Sequence, residues 1–466
     1  MTHEATASTP SNLARWKVLI GAIVVQLILG TVYGYSIFWQ PLEEQIYPQK
    51  LISHSEHVRL ADEGVRLPEG ALILPDAEAA QKHHERQAPL KYSFAIAILT
   101  FSLVMVFAGR LQDARGPKMP ALIGGLLLGG AFLVEGVILQ TGAIRGTGGN
   151  TAALLLTIGL MAGAGIGFAY VCPIAALVKW FPKAKGLVSG LAVAGFGFGA
   201  FVFSSKDLPF GGSSFLRDNG PAMFFLVHGG VALIAVLIGA TLLSNPPGTS
   251  LRAASVAEGE GMLRRPAFYM LWTMFFSGAL AGLTVIGVAK GFAGEQLVSA
   301  AGAVTPEIKK ELMEKGALAV GSLAIFNAIG RVVWGMISDR IGRTPTFVIM
   351  FALQALVMFS LPTLASETAL TIGAGLVGFN FGGNFALFPS ATADLFGAKS
   401  LGANYGLVFT SYGAAGVAGI YAANTARELT GTYAGAFAVC GILCVLSCVI
   451  SVALHAASRR TVLAAA

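Results

Sequence analysis

The sequence predicts an all-α membrane protein of twelve transmembrane helices, arranged as two pseudo-symmetric six-helix bundles. Three observations carry that reading: the composition, the number and length of apolar runs, and an internal repeat. Of 466 residues, 55% are hydrophobic and 12% charged, with a mean hydropathy of +0.71. A soluble domain is about 25% charged. Half that charge, with 59 glycines, fits a lipid-facing exterior and closely packed membrane helices. The net charge of +7 does not make the chain a nucleic-acid binder, because its cations lie in short loops and form no stripe.

About 30 Å of hydrocarbon at about 1.5 Å per helical residue requires apolar runs near 20 residues. Twelve occur, centred near Leu27, Leu99, Leu128, Met161, Gly195, Leu233, Leu280, Phe326, Leu353, Phe379, Ser411 and Leu443. The first is too long and too late for a secretory signal, and no small-residue cleavage site follows it. Arg110, Arg115 and Lys118, then Lys179, Lys183 and Lys185, then Arg264 and Arg265, then Arg340 and Arg343, then Arg459 and Arg460 fall on one side of the count. The positive-inside rule makes that side cytoplasmic, with both termini, in a bacterial inner membrane. The expected layout is a tail over 1–15, a six-helix bundle over 16–243, a linker over 244–265, a second bundle over 266–455 and a tail over 456–466.

The loop from Pro41 to Lys91 on the periplasmic side is the one polar insertion, with nine of the 24 acidic residues. Prolines 48, 68, 75 and 89 punctuate it, and Asp76 is placed to cap a short helix through Arg86. A cap over the mouth is the expected role. His54, His57, His83 and His84 read as solvated histidines rather than metal ligands, so no metal is expected. Cys440, Cys444 and Cys448 share a helical face within an apolar run, and read as small lipid-facing side chains.

GRLQDARGPK at Gly109–Lys118 recurs as GMISDRIGRT at Gly335–Thr344, and GFAYVCP at Gly167–Pro173 recurs as GNFALFP at Gly383–Pro389. The chain is therefore duplicated, and parallel halves of this kind hold substrate between them near the bilayer midplane. Asp113 and Asp339 sit at helix ends beside Arg115, Arg340 and Arg343. Carboxylate, guanidinium and helix dipole there can form a gating latch that breaks when the halves rock. The simpler role is a charged anchor holding the loop out of lipid, and repetition in both halves favours the latch.

The loop Gly109–Lys118 resembles the signature of the major facilitator superfamily. More narrowly, MLRRPAFYMLW (Met262–Trp272), FNAIGRVVWGMISDRIGR (Phe326–Arg343) and FALFPSATADLFG (Phe385–Gly397) resemble the oxalate:formate antiporter family, which overlaps the monocarboxylate porters. The resemblance implies the major facilitator fold and alternating-access transport. Drug-exporting branches usually carry a Gly-Pro pair in the fifth helix, and GLAVAGFGFGA (Gly190–Ala200) has none.

Function turns on Arg331, eight residues and about 12 Å of helix rise from Asp339, hence near mid-membrane. A charge there costs roughly 2.5 to 3.5 kcal/mol, so it should face a wet cavity and meet an anion. Asn327, one turn earlier, can orient the guanidinium without neutralising it. The acid well inside a run is Glu135, on a helix that the resemblance makes peripheral. Tyr33, Tyr170, Phe381, Phe385, Phe409 and Tyr412 occupy positions resembling the family's cavity lining, with Asn380 and Asn384 as further polar contacts; packing and interhelical bonding are their alternative roles. The resemblance also implies a lysine in the eleventh helix of an oxalate carrier, and the matching position is Tyr412. Lys290, ending the seventh helix, is expected to snorkel to the outer interface.

One arginine with tyrosine donors suits a small carboxylate of single charge, such as lactate, pyruvate, formate or glycolate, since a second unneutralised charge would be costly. Dicarboxylate exchange stays open. Protons or a counter-anion are the candidate coupled partners, the bilayer is the solvent, and a monomer without cofactor is expected. No nucleophile, base or metal triad marks an enzyme. The linker and tail are too small for a signalling transceptor.

Overall fold

A computed structural model of the chain describes residues 12–47, 49–67, 70–144, 146–204, 212–249 and 261–465. Twelve helices among them are long and apolar enough to cross a membrane: Asn12–Val32, Asp76–Arg115, Lys118–Thr141, Thr147–Trp180, Lys185–Phe203, Gly212–Leu242, Pro266–Ala301, Glu307–Ile341, Arg343–Thr363, Glu367–Phe396, Leu401–Thr430 and Ala434–Ala457. They are the first to twelfth spans below, and each contains one of the twelve expected centres. The Arg459 and Arg460 side chains, and the whole 250–260 stretch of the linker, lie outside what is described.

The spans pack as two copies of one pattern. The first lies against the fourth, fifth and sixth, as the seventh lies against the tenth, eleventh and twelfth. The second packs on the fourth as the eighth on the tenth, and the third on the sixth as the ninth on the twelfth. Two seams join the halves, the second span along the eleventh and the fifth along the eighth. Glycines allow these approaches. At one end of the seams a Cβ on Gly109 would overlap the Gly402 carbonyl, and one on Gly186 would overlap the Gly335 carbonyl.

Several spans depart from uniform α-helix. The first tightens into a 3-10 helix over Gly30–Phe38, and the fourth carries a π-helical stretch over Leu155–Ala162. The sixth bends at Gly220, whose φ is 76°, just before Pro221. Pro173 and Pro389 sit inside the fourth and tenth spans. Each removes the helical bond to the carbonyl four residues earlier and favours a kink there; for Pro389 that residue is Phe385.

The 41–91 insertion is folded. Strands Leu51–Ser53 and Leu72–Leu74 pair in parallel, Ser53 caps the helix His54–Asp62, and Leu51, Leu74 and Ala79 form a small core. Asp76 does not cap a short helix. It opens a 40-residue helix to Arg115 and accepts a bond from the Ser55 amide at 2.9 Å. Two bonds tie the start of the insertion to its end. Buried Glu43 takes one from His83 at 2.7 Å and one from Gln87 at 3.0 Å. Among the described residues no three His, Cys, Asp or Glu side chains gather as a metal site.

Two side-chain expectations are corrected. Cys440 and Cys444 are buried, and Cys440 Sγ lies 3.8 Å from Thr284 Oγ1 of the seventh span. The lipid face of the twelfth span is instead Val439, Ile442, Val445, Val449 and Val452, and the small thiols permit close helix contact. Lys290 does not end the seventh span, which continues to Ala301.

Candidate functional site

Arg331 has no solvent exposure. It lies on the eighth span where the fifth crosses closest, because Gly190 leaves no side chain between that backbone and the Arg331 carbonyl. Its Nε donates to Asn327 Oδ1 at 3.1 Å, and its Nη1 donates to the Val193 carbonyl of the fifth span at 2.6 Å. The guanidinium carbon is 4.6 Å from the Phe385 ring centre and 5.6 Å from that of Phe196. Nη2 is buried and has no hydrogen-bond partner among the described residues. No carboxylate among them reaches ion-pair distance of Arg331. The expected wet cavity is not seen here, because two rings from opposite halves close over the charge. A buried charged donor left unsatisfied costs about 1–3 kcal/mol or more, and an anion would relieve that cost.

The aromatic residues expected at the site form one continuous group between the seams. Tyr170 meets Phe409 at 5.3 Å, Phe409 meets Tyr412 at 5.0 Å, Tyr412 meets Phe385 at 5.5 Å, and Phe385 meets Phe381 at 5.1 Å. Phe101 of the second span and Phe275 of the seventh belong to it, at 4.9 Å and 5.7 Å from Phe409. The Tyr33 side chain lies outside the described residues. Asn384 turns away from the guanidinium. Its amide donates weakly to the Asn380 and Phe381 carbonyls at 3.4 and 3.3 Å, and its tip fills the space that Gly278 leaves in the seventh span.

Two residues at Arg331 and one in the aromatic group lie outside the sequence reading, each for a different reason. Val193 contributes a backbone carbonyl, which side-chain chemistry does not announce. Phe196 is one of two phenylalanines in GLAVAGFGFGA; it is buried and Phe198 is exposed, and the glycine spacing does not separate them. Phe101 lies in an apolar run like any other.

The seam ends carry two matched carboxylates. Asp113 accepts from the Gly402 and Ala403 amides at 3.3 and 2.8 Å, with Lys179 at 3.5 Å. Asp339 accepts from the Gly186 and Leu187 amides at 2.9 and 2.8 Å and from Arg343 at 3.0 Å. Those amides open the eleventh and fifth spans, so each carboxylate caps a helix of the other half at its positive end. Arg343 also bonds Asp394 at 2.8 Å, and Asp394 bonds Lys185 at 2.6 Å.

Arg115 and Arg340 do not join the latch. Both are exposed, and neither forms an ion pair with a described residue. Lys179, Lys185 and Asp394 take their place. A shared spacing could have found Asp394: Asp113, Asp339 and Asp394 each stand three residues before a helix-ending glycine of positive φ, at Gly116, Gly342 and Gly397.

Twelve spans in two matching sets, joined at equivalent carboxylates, agree with a match of the Major Facilitator Superfamily model to residues 72–306 and 285–463. The chain belongs to the Major Facilitator Superfamily. It is a membrane transporter, not an enzyme. Among superfamily members, the oxalate:formate antiporter of Oxalobacter formigenes is 30% identical over 67% of this chain and 69% of its own length. Apicoplast pyruvate carrier 1 of Toxoplasma gondii is 27% identical over 90% of this chain and 85% of its own. The crystal structure of the Escherichia coli fucose:proton symporter superposes with a TM-score of 0.64 at 11% identity, over 94% of this chain and 98% of that one, which speaks for the superfamily fold alone.

Proposed function

We propose that this transporter moves a small carboxylate of single charge, of the lactate, pyruvate, formate or glycolate kind, with Arg331 as the anion-binding group. The observation that carries the reading is a buried guanidinium between the halves with a free Nη2 and no carboxylate partner among the described residues. Relatives named for oxalate, formate and pyruvate support the substrate class. Tyr412 at the position where the resemblance implies a lysine favours one negative charge over two. Tyr170, Phe381, Phe385, Phe409 and Tyr412 would enclose the carbon skeleton, with Asn327 holding the guanidinium.

The proposed topology has the Asp113 and Asp339 ends of the seams cytoplasmic, with both termini, in a bacterial inner membrane. The bundles span 16–243 and 266–455, joined by the 244–265 linker, and the protein acts as a monomer. Asp113, Asp339 and Arg343 gate the cytoplasmic mouth, and the 41–91 insertion covers the periplasmic one. Transport proceeds by proton symport or anion exchange. Counterflow in proteoliposomes over short mono- and dicarboxylates tests the substrate. Monocarboxylates are expected to drive it, and counterflow with oxalate alone would move the assignment to the dicarboxylate antiporter reading.

A further inference from the structure

We infer that the substrate carboxylate and the Val193 carbonyl compete for the same edge of the Arg331 guanidinium, so that anion binding breaks the bond joining the eighth span to the fifth. This rests on the carboxylate reading above. A guanidinium is planar, with five N–H groups along its rim. Here Phe385 and Phe196 lie against it. A ligand must therefore reach the rim, and a carboxylate binds it best through two parallel N–H bonds from neighbouring nitrogens.

Two such pairings include the free Nη2. The Nε/Nη2 pairing is held by Asn327, on the same helix one turn away. The Nη1/Nη2 pairing needs Nη1, which is engaged across the seam by the Val193 carbonyl at 2.6 Å. That carbonyl lies within the helix Lys185–Ser204 and is a neutral acceptor. A carboxylate brings a full negative charge to the guanidinium and accepts two parallel bonds where the carbonyl accepts one, so the anion displaces it. Asn327 keeps the side chain in place meanwhile.

The consequence is a carrier locked by its own backbone when empty. Without substrate, the middle of the fifth–eighth seam is fastened by Arg331 and its end by Asp339. With substrate, only the end latch remains, and the anion takes up the charge. Exchange, in which the carrier always crosses loaded, should then outpace net transport, in which it returns empty.

Spin labels at Phe198→Cys and Ile325→Cys test this, since both side chains are about half exposed, at 52% and 48%, on the two helices concerned. The background carries Cys448→Ser, because Cys172, Cys440 and Cys444 are buried. Thermal stabilisation by pyruvate, lactate, formate and glycolate is measured in parallel on the full chain. Any of these that stabilises the protein is expected to lengthen the label distance. Arg331→Gln should show the longer distance without anion. Stabilisation with unchanged distance, or an unaltered distance in Arg331→Gln, overturns the inference alone. No stabilisation by any of the four overturns the carboxylate reading and the inference with it.

Discussion

Asp113 and Ala403, from opposite halves, are joined by a carboxylate-to-amide hydrogen bond of 2.8 Å, and Asp339 and Leu187 repeat it at the same length. Neutralising either acid removes its attraction to the facing helix terminus, worth about 0.3–2 kcal/mol. Asp113→Asn and Asp339→Asn are expected to slow counterflow at normal expression. The second should do more, because Asp339 also holds Arg343 at 3.0 Å. Arg115→Gln and Arg340→Gln should stay near the parent's rate. Initial counterflow rates check the series, and parental rates in both aspartate variants would remove the latch.

Gly335→Val tests closure of the same seam by bulk rather than charge. A Cβ there would overlap the Gly186 carbonyl, a backbone atom that cannot swing aside. The variant is expected to reach the membrane folded but to transport little. Cysteine labelling at the seam end should report greater access than in the parent; unchanged access with full transport would show that the end need not close.

Phe385→Leu removes the nearer ring at the Arg331 guanidinium. A desolvated cation–ring contact is worth about 0.5–2 kcal/mol, so apparent substrate affinity is expected to weaken by roughly 2- to 30-fold. Phe347→Leu, whose ring stacks on Phe351 and away from Arg331, is the matched control. Equal half-saturation for both would separate Phe385 from the site.

Glu135, wholly buried in the third span, takes a bond from Thr157 Oγ1 at 2.7 Å, while its other oxygen has no partner among the described residues. Thr157→Val should cost about 1–3 kcal/mol by leaving that carboxyl without its donor. The detergent-solubilised protein is expected to melt earlier, with substrate affinity unchanged. A parental melting point would show the pair to be idle.

The scaffold was legible because bilayer thickness fixes run length, and because the Gly109 and Gly335 loops repeat. The burial of Arg331 in the eighth span agrees with its eight-residue distance from Asp339. The partner of Arg331 in the other half was not legible, since Val193 acts through its backbone. The helix from Asp76 runs on to Arg115 through Pro89, so that proline does not punctuate the insertion as its spacing suggests. The inward face of the twelfth span carries its own mark, since Ser447 and Ser451 are buried on the side of Cys440 and Cys444 at helical spacing. Arg115 and Arg340 look like latch members by adjacency alone, yet both are exposed and form no ion pair with a described residue, while Lys179, Lys185 and Asp394 arrive from other helices.

Counterflow of a labelled monocarboxylate by Arg331→Gln, set beside the parent at equal reconstituted amount, bears most directly on the role given to that guanidinium. Loss of counterflow in a protein that keeps the parent's detergent stability is the expected result, with Arg331→Lys retaining little because the planar fork is gone. Full counterflow by the glutamine variant would contradict the assignment of Arg331 as the anion site.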